Sequence, residues 1–169
     1  MVGVDRMEYK IVLRPVFGRV HFPQLRQILI FSLFNLSDHQ RQKKEWVSPN
    51  FSHGFWDTFR FDVSVIFDDL DLDQDPEGQI GYCLVNQAEC NSIKPLTKAL
   101  DEVLDRIGIE QPDVSYIESP LWDRVIETAK TALEVFMENE RAAQKLNPIP
   151  WQGEEDWALD LHPEEKEKL

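Results

Sequence analysis

An alternation of apolar and polar side chains over residues 56–67 is the feature that most constrains the fold of this chain. The apolar positions are Phe59, Phe61, Val63, Val65 and Phe67, and the polar positions between them are Arg60, Asp62 and Ser64. A period of two with β-branched and aromatic residues is typical of a strand with one buried and one hydrated face. Ile66 departs from the pattern. The segment therefore predicts a half-buried strand.

Three other segments carry apolar residues at the spacing of an amphipathic helix. The first begins at Pro23, a residue type that suits the first turn of a helix. The second has Asn86 as its N-terminal cap and ends at Gly108, and Pro95 inside it indicates a kink or a later start. The third opens at Ser119, directly before a proline. We expect three helices that pack on the sheet.

Two weaker strand patterns, at residues 9–14 and 114–117, complete the elements expected from the sequence. Together these elements predict an α+β fold, in which a small, mostly antiparallel sheet packs against about three amphipathic helices. We place a single domain at residues 1–146, because 169 residues suit one core and prolines follow the third helix. Residues 147–169 then form an acidic C-terminal tail that contains tryptophan.

The formal net charge of −13 narrows the partners that the chain can bind. An acidic surface repels phosphate backbones, which excludes nucleic acid, but it attracts a basic protein. Solubility alone is the simpler explanation of such a charge. A short basic cluster at residues 41–44 has the opposite sign. We expect it to pair with the protein's own acidic surface, with self-association of basic end to acidic end as the alternative.

The cysteines and the apolar segments indicate the compartment. Cys83 and Cys90 form neither a CxxC motif nor a disulfide framework, so we expect reduced, buried thiols. The N-terminus shows no secretory signal pattern. The longest apolar run, at residues 28–34, is far too short to span a membrane. These observations predict a cytoplasmic protein with no membrane partner.

The acidic stretch at residues 67–77 directly follows the predicted strand and is the first candidate for a metal site. Clusters of carboxylates suit Ca²⁺ or Mg²⁺. An EF-hand loop that started at Asp69 would, however, place Gln74 where the turn requires glycine. Leu70 and Leu72 are predicted to tuck under the domain as anchors and to leave the carboxylates in water. We therefore predict a charged surface here, with no metal, no cofactor and no catalytic residue.

A surface of this kind would engage a partner through its carboxylates and through exposed aromatic anchors. Asp75, followed by a proline, also has the form of a short helix start. The predicted interaction surface comprises Asp68, Asp69, Asp71, Asp73, Asp75, Trp151 and Trp157.

The aromatic, glycine-containing segment at residues 50–56 resembles a loop folded over the core. The alternative is a small pocket lined by Trp46, His53 and Trp56, with the imidazole as its polar group. The histidines of the chain stand singly, without the spacing of metal ligands.

Several short segments, in their order and spacing, are similar to those of a known family. They are Leu36-Ser37-Asp38 followed by Gln42 and Trp46-Val47, Phe67-Asp68-Asp69, Asp75-Pro76 followed by Ile80-Gly81, Glu89 with Ile93, and Ser119-Pro120-Leu121-Trp122 followed by Val125. The chain resembles, over residues 24–137, a family of small acidic bacterial proteins that is common in actinomycetes and has no assigned function. The resemblance implies a shared fold and a bacterial cytoplasmic setting, and it transfers no site residue.

The sequence favours a non-catalytic protein-interaction domain, such as an inhibitor or immunity-type partner of a basic protein. The physical reason is electrostatic steering, in which an acidic face speeds the capture of a basic one. Two alternatives stay open. One is a divalent-metal-dependent hydrolase that uses the carboxylates between Asp68 and Asp75, and the other is a small-molecule-binding protein.

Overall fold

The computed structural model of the chain describes residues 20–47 and 58–146, with side chains through residue 143. Helices account for 74% of these residues and none of them belongs to a strand. The described part of the chain is thus all-α, and the prediction of an α+β fold with an antiparallel sheet is wrong.

Six α-helices and two shorter helical turns make up this part of the chain. The α-helices are α1 (Pro23–Ser37), α2 (His39–Glu45), α3 (Phe59–Ser64), α4 (Gln87–Ile107), α5 (Asp113–Ile117) and α6 (Trp122–Leu146). A π-helical turn, Val65–Asp69, continues α3, and a 3₁₀ turn, Glu77–Gln79, precedes α4.

The described residues of the predicted strand, 58–67, belong to the cap of α3, to α3 itself and to the π-helical turn. Thr58 caps this helix, because its Oγ1 accepts a hydrogen bond from the backbone N–H of Phe61 at 3.2 Å. The buried positions include Asp62 and Ile66, which recur at helical spacing. Burial of Asp62 is tolerated because its Oδ1 accepts a hydrogen bond from Asn35 Nδ2 at 3.2 Å. Ile66, the exception to the alternation, is fully buried, so the core follows the helical period.

The predicted strand at residues 114–117 is likewise wrong, since these residues belong to the short helix α5. Pro112 precedes the helix, and Tyr116 and Ile117 are buried. The other predicted strand, at residues 9–14, and the tail, at residues 147–169, lie outside the described residues.

The three predicted helices are confirmed in α1, α4 and α6. Asn86 caps α4, because its Oδ1 accepts a hydrogen bond from the backbone N–H of Glu89 at 3.1 Å. The helix runs through Pro95, so a later start is wrong. It ends at Gly108, whose φ of 98° lies in the region that favours glycine.

Helix α6 organises the core, because its most extensive contacts are with α4 and α1. Its buried apolar side chains follow helical spacing and are Trp122, Val125, Ile126, Ala129, Ala132, Leu133, Phe136 and Met137. Full burial of a large apolar side chain contributes about 1.5–3 kcal/mol. None of the helices in the described part of the chain is both long enough and apolar enough to cross a lipid bilayer.

Aromatic side chains and one buried amide close the end of the bundle where α2, α3, α5 and α6 meet. The ring of Trp122 makes edge contacts with Trp46, at a centroid distance of 6.1 Å, and with Phe59, at 5.7 Å. Its Nε1 donates a hydrogen bond to Oε1 of the buried Gln42 at 2.8 Å. Gln42 in turn donates from Nε2 to the backbone carbonyl of Asn35 at 2.7 Å. This amide therefore ties α2 to both α1 and α6.

Candidate functional site

The acidic loop, residues 68–75, leaves the bundle at the end of the π-helical turn and returns at the 3₁₀ turn. Leu70 and Leu72 are 2% and 0% exposed, which confirms the prediction that they anchor the loop in the core. The carboxylates of Asp68, Asp69 and Asp71 are on exposed residues. The core thus holds the loop from inside while its charges face water.

Backbone hydrogen bonds fix the shape of the acidic loop. The N–H of Leu70 donates to the carbonyl of Val65 at 3.1 Å, and that of Leu72 donates to Ile66 at 3.0 Å. Between them Asp71 adopts a φ of 51°, a left-handed conformation in which aspartate is among the more tolerated residues. These bonds turn the chain so that the two leucines point inward and Asp71 points out.

Asp75 ends the acidic loop as the predicted cap of a short helical turn. Its Oδ1 accepts a hydrogen bond from the backbone N–H of Gly78 at 3.1 Å. A Cβ added at Gly78 would lie 2.1 Å from Oδ2 of the same carboxylate, so a larger residue there would displace the cap. Asp75 is exposed, whereas Asp73 is half-buried.

The acidic face continues from the loop onto α4. Burial, together with the nearby charges of Asp73 and Asp105, raises the pKa of Asp101. Within residues 20–47 and 58–146, no group of three or more His, Cys, Asp or Glu side chains is placed to hold a metal ion. Exposed carboxylates thus lie on two adjoining elements, the acidic loop and α4.

Of the residues predicted to line a pocket, Trp46 lies in the described part of the chain. Trp46 is buried against Trp122 in the core. His53 and Trp56 lie outside the described residues, as do Trp151 and Trp157 of the predicted interaction surface.

An open groove lies elsewhere, between the N-terminal halves of α4 and α6, with a volume of ≈ 590 Å³. Its lining includes the hydroxyls of Thr128 and Thr131. These hydroxyls donate to the carbonyls of Arg124 and Glu127 in their own helix, at 2.7 and 3.1 Å. The side chains that line the groove are exposed or half-buried, and they include two prolines, Pro95 and Pro120, among polar residues.

The basic cluster at residues 41–44 is only partly exposed. Gln42 is buried in the core. Arg41 is half-buried, and its Nε donates to Glu45 Oε2 at 3.0 Å, one turn along α2. Lys43 and Lys44 are exposed. Arg41 thus pairs with a carboxylate of its own helix, and it also donates from Nη1 to Asn35 Oδ1 in α1.

A buried ion cluster, formed by Arg26, Glu89 and Glu140, joins the three long helices. Arg26 donates two parallel hydrogen bonds to Glu89, from Nη1 to Oε2 at 2.8 Å and from Nη2 to Oε1 at 2.7 Å. Its Nε donates to Glu140 Oε1 at 2.6 Å. The three side chains are 0%, 0% and 2% exposed. Such a bidentate pair of charges has the geometry of the strongest hydrogen bonds in proteins.

The electrostatics of the ion cluster keep Arg26 charged. Burial alone would lower the pKa of the guanidinium, but the hydrogen bonds and charges of Glu89 and Glu140 raise it overall. The ring of Phe136 lies beneath the guanidinium, 5.0 Å from centroid to Cζ, and adds a cation–π contact. Glu89 also lies in the first turn of α4, where the helix dipole favours a negative charge. Asn139 Nδ2 donates to Glu89 Oε1 at 2.8 Å.

The ion cluster also holds the backbone of the chain just before α4. Arg26 Nη1 donates to the carbonyl of Cys83 at 3.0 Å, and the N–H of Val85 donates to Glu89 Oε2 at 2.8 Å. A hydrophobic replacement of the cluster could fill its space but could not make these two bonds. We call residues 81–85 the clamped loop, because buried charges hold it at both Cys83 and Val85.

The clamped loop presents an aromatic surface at the start of α1. The backbone N–H groups of His21 and Phe22 donate to the carbonyls of Gly81 and Tyr82, at 2.8 and 2.9 Å. The rings of Phe22 and Tyr82 lie nearly parallel, at 11°, with centroids 5.9 Å apart. His21 lies 5.8 Å from the Tyr82 ring. Both Phe22 and Tyr82 are exposed, which is unusual for adjacent large rings.

One known sequence family matches the segment of the chain that contains the acidic loop, the ion cluster and the aromatic surface. Residues 20–144 match the domain of unknown function DUF7945. The chain belongs to this family. The DUF7945 match covers most of the chain and thereby confirms membership of an uncharacterised family. No curated protein and no solved structure matches the chain significantly.

Arg26, Glu89 and Glu140 were not among the residues predicted to form a site. The signals for Arg26 and Glu89 are nonetheless in the sequence. Arg26 interrupts a helix that is apolar on most sides, so its charge must be buried and paired. Asn86 followed three residues later by Glu89 has the spacing of a capping box, which places that carboxylate at a helix start.

Both thiols of the DUF7945 domain will resist alkylation while the protein is folded. Cys83 and Cys90 are free and buried, as predicted. Burial raises the pKa of Cys83 to about 12, so almost no thiolate forms at neutral pH. Burial likewise raises the pKa of Cys90. Iodoacetamide should add no label at neutral pH and two labels after denaturation, measured by intact-protein mass spectrometry. Rapid labelling of the native protein would contradict this burial.

Proposed function

We propose that this DUF7945 domain is a non-catalytic protein-interaction domain that binds a basic protein through its acidic loop. The observation that supports the proposal most is the anchoring of the loop. Leu70 and Leu72 are buried, while Asp68, Asp69 and Asp71 are exposed on a backbone fixed by hydrogen bonds. Charges held in place lose little conformational freedom when a partner binds.

The acidic face also has the extent that a partner surface needs. It continues from the loop to Asp101 and Asp105 on α4, and charges of one sign over such an area raise the rate of encounter with a cation. We propose that the partner is a basic toxin or nuclease, with this domain as its inhibitor or immunity-type protein in a bacterial cytoplasm. Self-association and small-molecule binding have no comparable support.

Neutralising the acidic loop will weaken binding to a basic protein. The double variant Asp69→Asn and Asp71→Asn removes two exposed charges and leaves both leucine anchors in place. We expect the Kd for lysozyme, used as a basic probe, to rise roughly three- to tenfold at low salt. Most of the change should be in the association rate, measured by biolayer interferometry on the immobilised domain.

The matched control removes the same charge from a different surface. Asp123→Asn with Glu127→Gln changes two exposed carboxylates at the start of α6. If this variant raises the Kd for lysozyme as much as the loop variant does, binding reflects net charge alone and the loop is not the binding surface. Salt should reduce the difference between the two variants, because exposed charges are screened.

A further inference from the structure

Exposed apolar side chains are few in the described part of the domain, and two of them are neighbours. The large ones are Phe22, Val47, Tyr82 and Ile109. Phe22 and Tyr82 are 47% and 50% exposed, and their rings are stacked. Ile109 is 78% exposed. A paired, half-exposed aromatic surface is a typical anchor in a protein interface, where tyrosine and arginine carry much of the binding energy.

The aromatic surface is pre-formed. Backbone bonds join residues 21 and 22 to residues 81 and 82, and the N–H of Tyr82 donates to the carbonyl of Gln79 at 3.0 Å. One residue beyond Tyr82, the carbonyl of Cys83 is held by the buried Arg26. A buried ion cluster seldom stabilises a fold more than apolar packing would. Its bonds to the clamped loop give it a second role, which is to fix the position of Tyr82.

Charge near the aromatic surface favours a cation. The acidic loop leads into the 3₁₀ turn, and only a few residues separate Asp75 from Tyr82 along the chain, whereas Glu77 in that turn is already paired with Lys94. Tyr82 N–H bonds directly to Gln79 in that turn, so the aromatic surface and the acidic loop are joined by one short rigid segment. An aromatic face joined by a short segment to an acidic loop suits an arginine better than a lysine, because the planar guanidinium stacks on the ring.

We infer that Phe22 and Tyr82 form a docking point for an arginine side chain of the basic partner. The inference rests on the proposed function and adds the chemistry of the partner. The guanidinium stacks on the exposed face of Tyr82, while neighbouring basic residues of the same segment face the acidic loop. Arg26 and Glu89 act as positioning residues, because they bond to the clamped loop and not to the partner.

Two peptides of equal length and charge test the inference, a fluorescent oligoarginine and a fluorescent oligolysine. Their Kd values for the full-length chain are measured by fluorescence anisotropy at low salt. We expect oligoarginine to bind roughly two- to fivefold more tightly than oligolysine. Tyr82→Leu keeps an apolar side chain but removes the aromatic face, and it should abolish this preference. Tyr82→Phe keeps an aromatic ring and should retain the preference for arginine. Ile109→Ala, which changes an exposed apolar residue elsewhere, is the control and should also retain it.

The outcomes separate this inference from the proposed function. Equal affinity for the two peptides, or an arginine preference that survives Tyr82→Leu, would overturn the arginine docking point. The proposed function fails on a different result, namely unchanged peptide and lysozyme binding in the Asp69→Asn and Asp71→Asn variant. Circular dichroism of each Tyr82 variant checks its fold, and we expect no change because half of the side chain is in solvent.

Discussion

Replacing Arg26 with methionine will lower the free energy of unfolding by about 3–5 kcal/mol. Methionine approximates the volume of the arginine stem but leaves Glu89 and Glu140 buried without their cation. The carbonyl of Cys83 also loses its donor. Urea unfolding followed by circular dichroism measures the loss. Arg60→Met, at an exposed position of α3, is the matched control and should change stability by no more than about 0.5 kcal/mol.

An apolar version of the whole ion cluster distinguishes stability from positioning. Arg26→Met combined with Glu89→Leu and Glu140→Leu removes every charge of the ion cluster, so we expect it to recover at least about 2 kcal/mol of the lost stability. The amide of Val85 should nevertheless exchange faster than in the parent, because its acceptor is Glu89. An Arg26→Met variant as stable as the parent would show that the cation does not compensate the two buried carboxylates.

The ends of the long helices could be predicted because the residues that determine them act locally. Asn86 bonds to a backbone N–H three residues away, and Gly108 supplies a conformation that other residues avoid. The burial of Leu70 and Leu72 was predictable for a similar reason, since two leucines among hydrated carboxylates are most stable when they pack into the core. In each case the deciding interaction is short in sequence.

The strand at residues 56–67 was predicted wrongly because its pattern satisfied two periods at once. Phe59 and Val65 are buried under either the strand or the helix interpretation. The two residues that decide between them are Asp62 and Ile66, both buried in the helix and neither expected to be buried in the strand. The buried Asp62 accepts a hydrogen bond from Asn35, and that contact spans 27 residues. Local periodicity carries no information about such a partner.

The ion cluster and the aromatic surface depend on contacts that are longer still. Arg26 meets Glu140 across 114 residues, and Phe22 meets Tyr82 through a backbone pairing of two loops. The sequence shows that Arg26 is a charged residue on an apolar helix, but it does not identify the carboxylates that pair with it. The acidic loop was predictable as a surface, whereas the stacking of Phe22 on Tyr82 required the fold.

Replacing Trp122 with alanine will destabilise the domain by about 3–5 kcal/mol, the usual cost of deleting a large buried aromatic side chain. The indole is fully buried and makes edge contacts with Trp46 and Phe59, so its removal leaves a cavity among rings that cannot collapse easily. It also leaves Gln42 Oε1 without its donor. Chemical unfolding measures the loss, and Thr131→Ala, at an exposed position on α6, provides the control.

The cavity and the lost hydrogen bond of Trp122 can be measured separately. Trp122→Phe keeps an aromatic ring but removes the Nε1 donor. The buried Gln42 Oε1 is then left without this hydrogen bond, which should lower the free energy of unfolding by about 1–3 kcal/mol. A double-mutant cycle with Gln42→Leu should give a coupling energy of about 0.5–3 kcal/mol, because the two side chains share one bond. Additive effects would show that Gln42 stabilises the bundle only through the carbonyl of Asn35, which accepts from its Nε2 at 2.7 Å. The link between α2 and α6 would then be apolar packing alone.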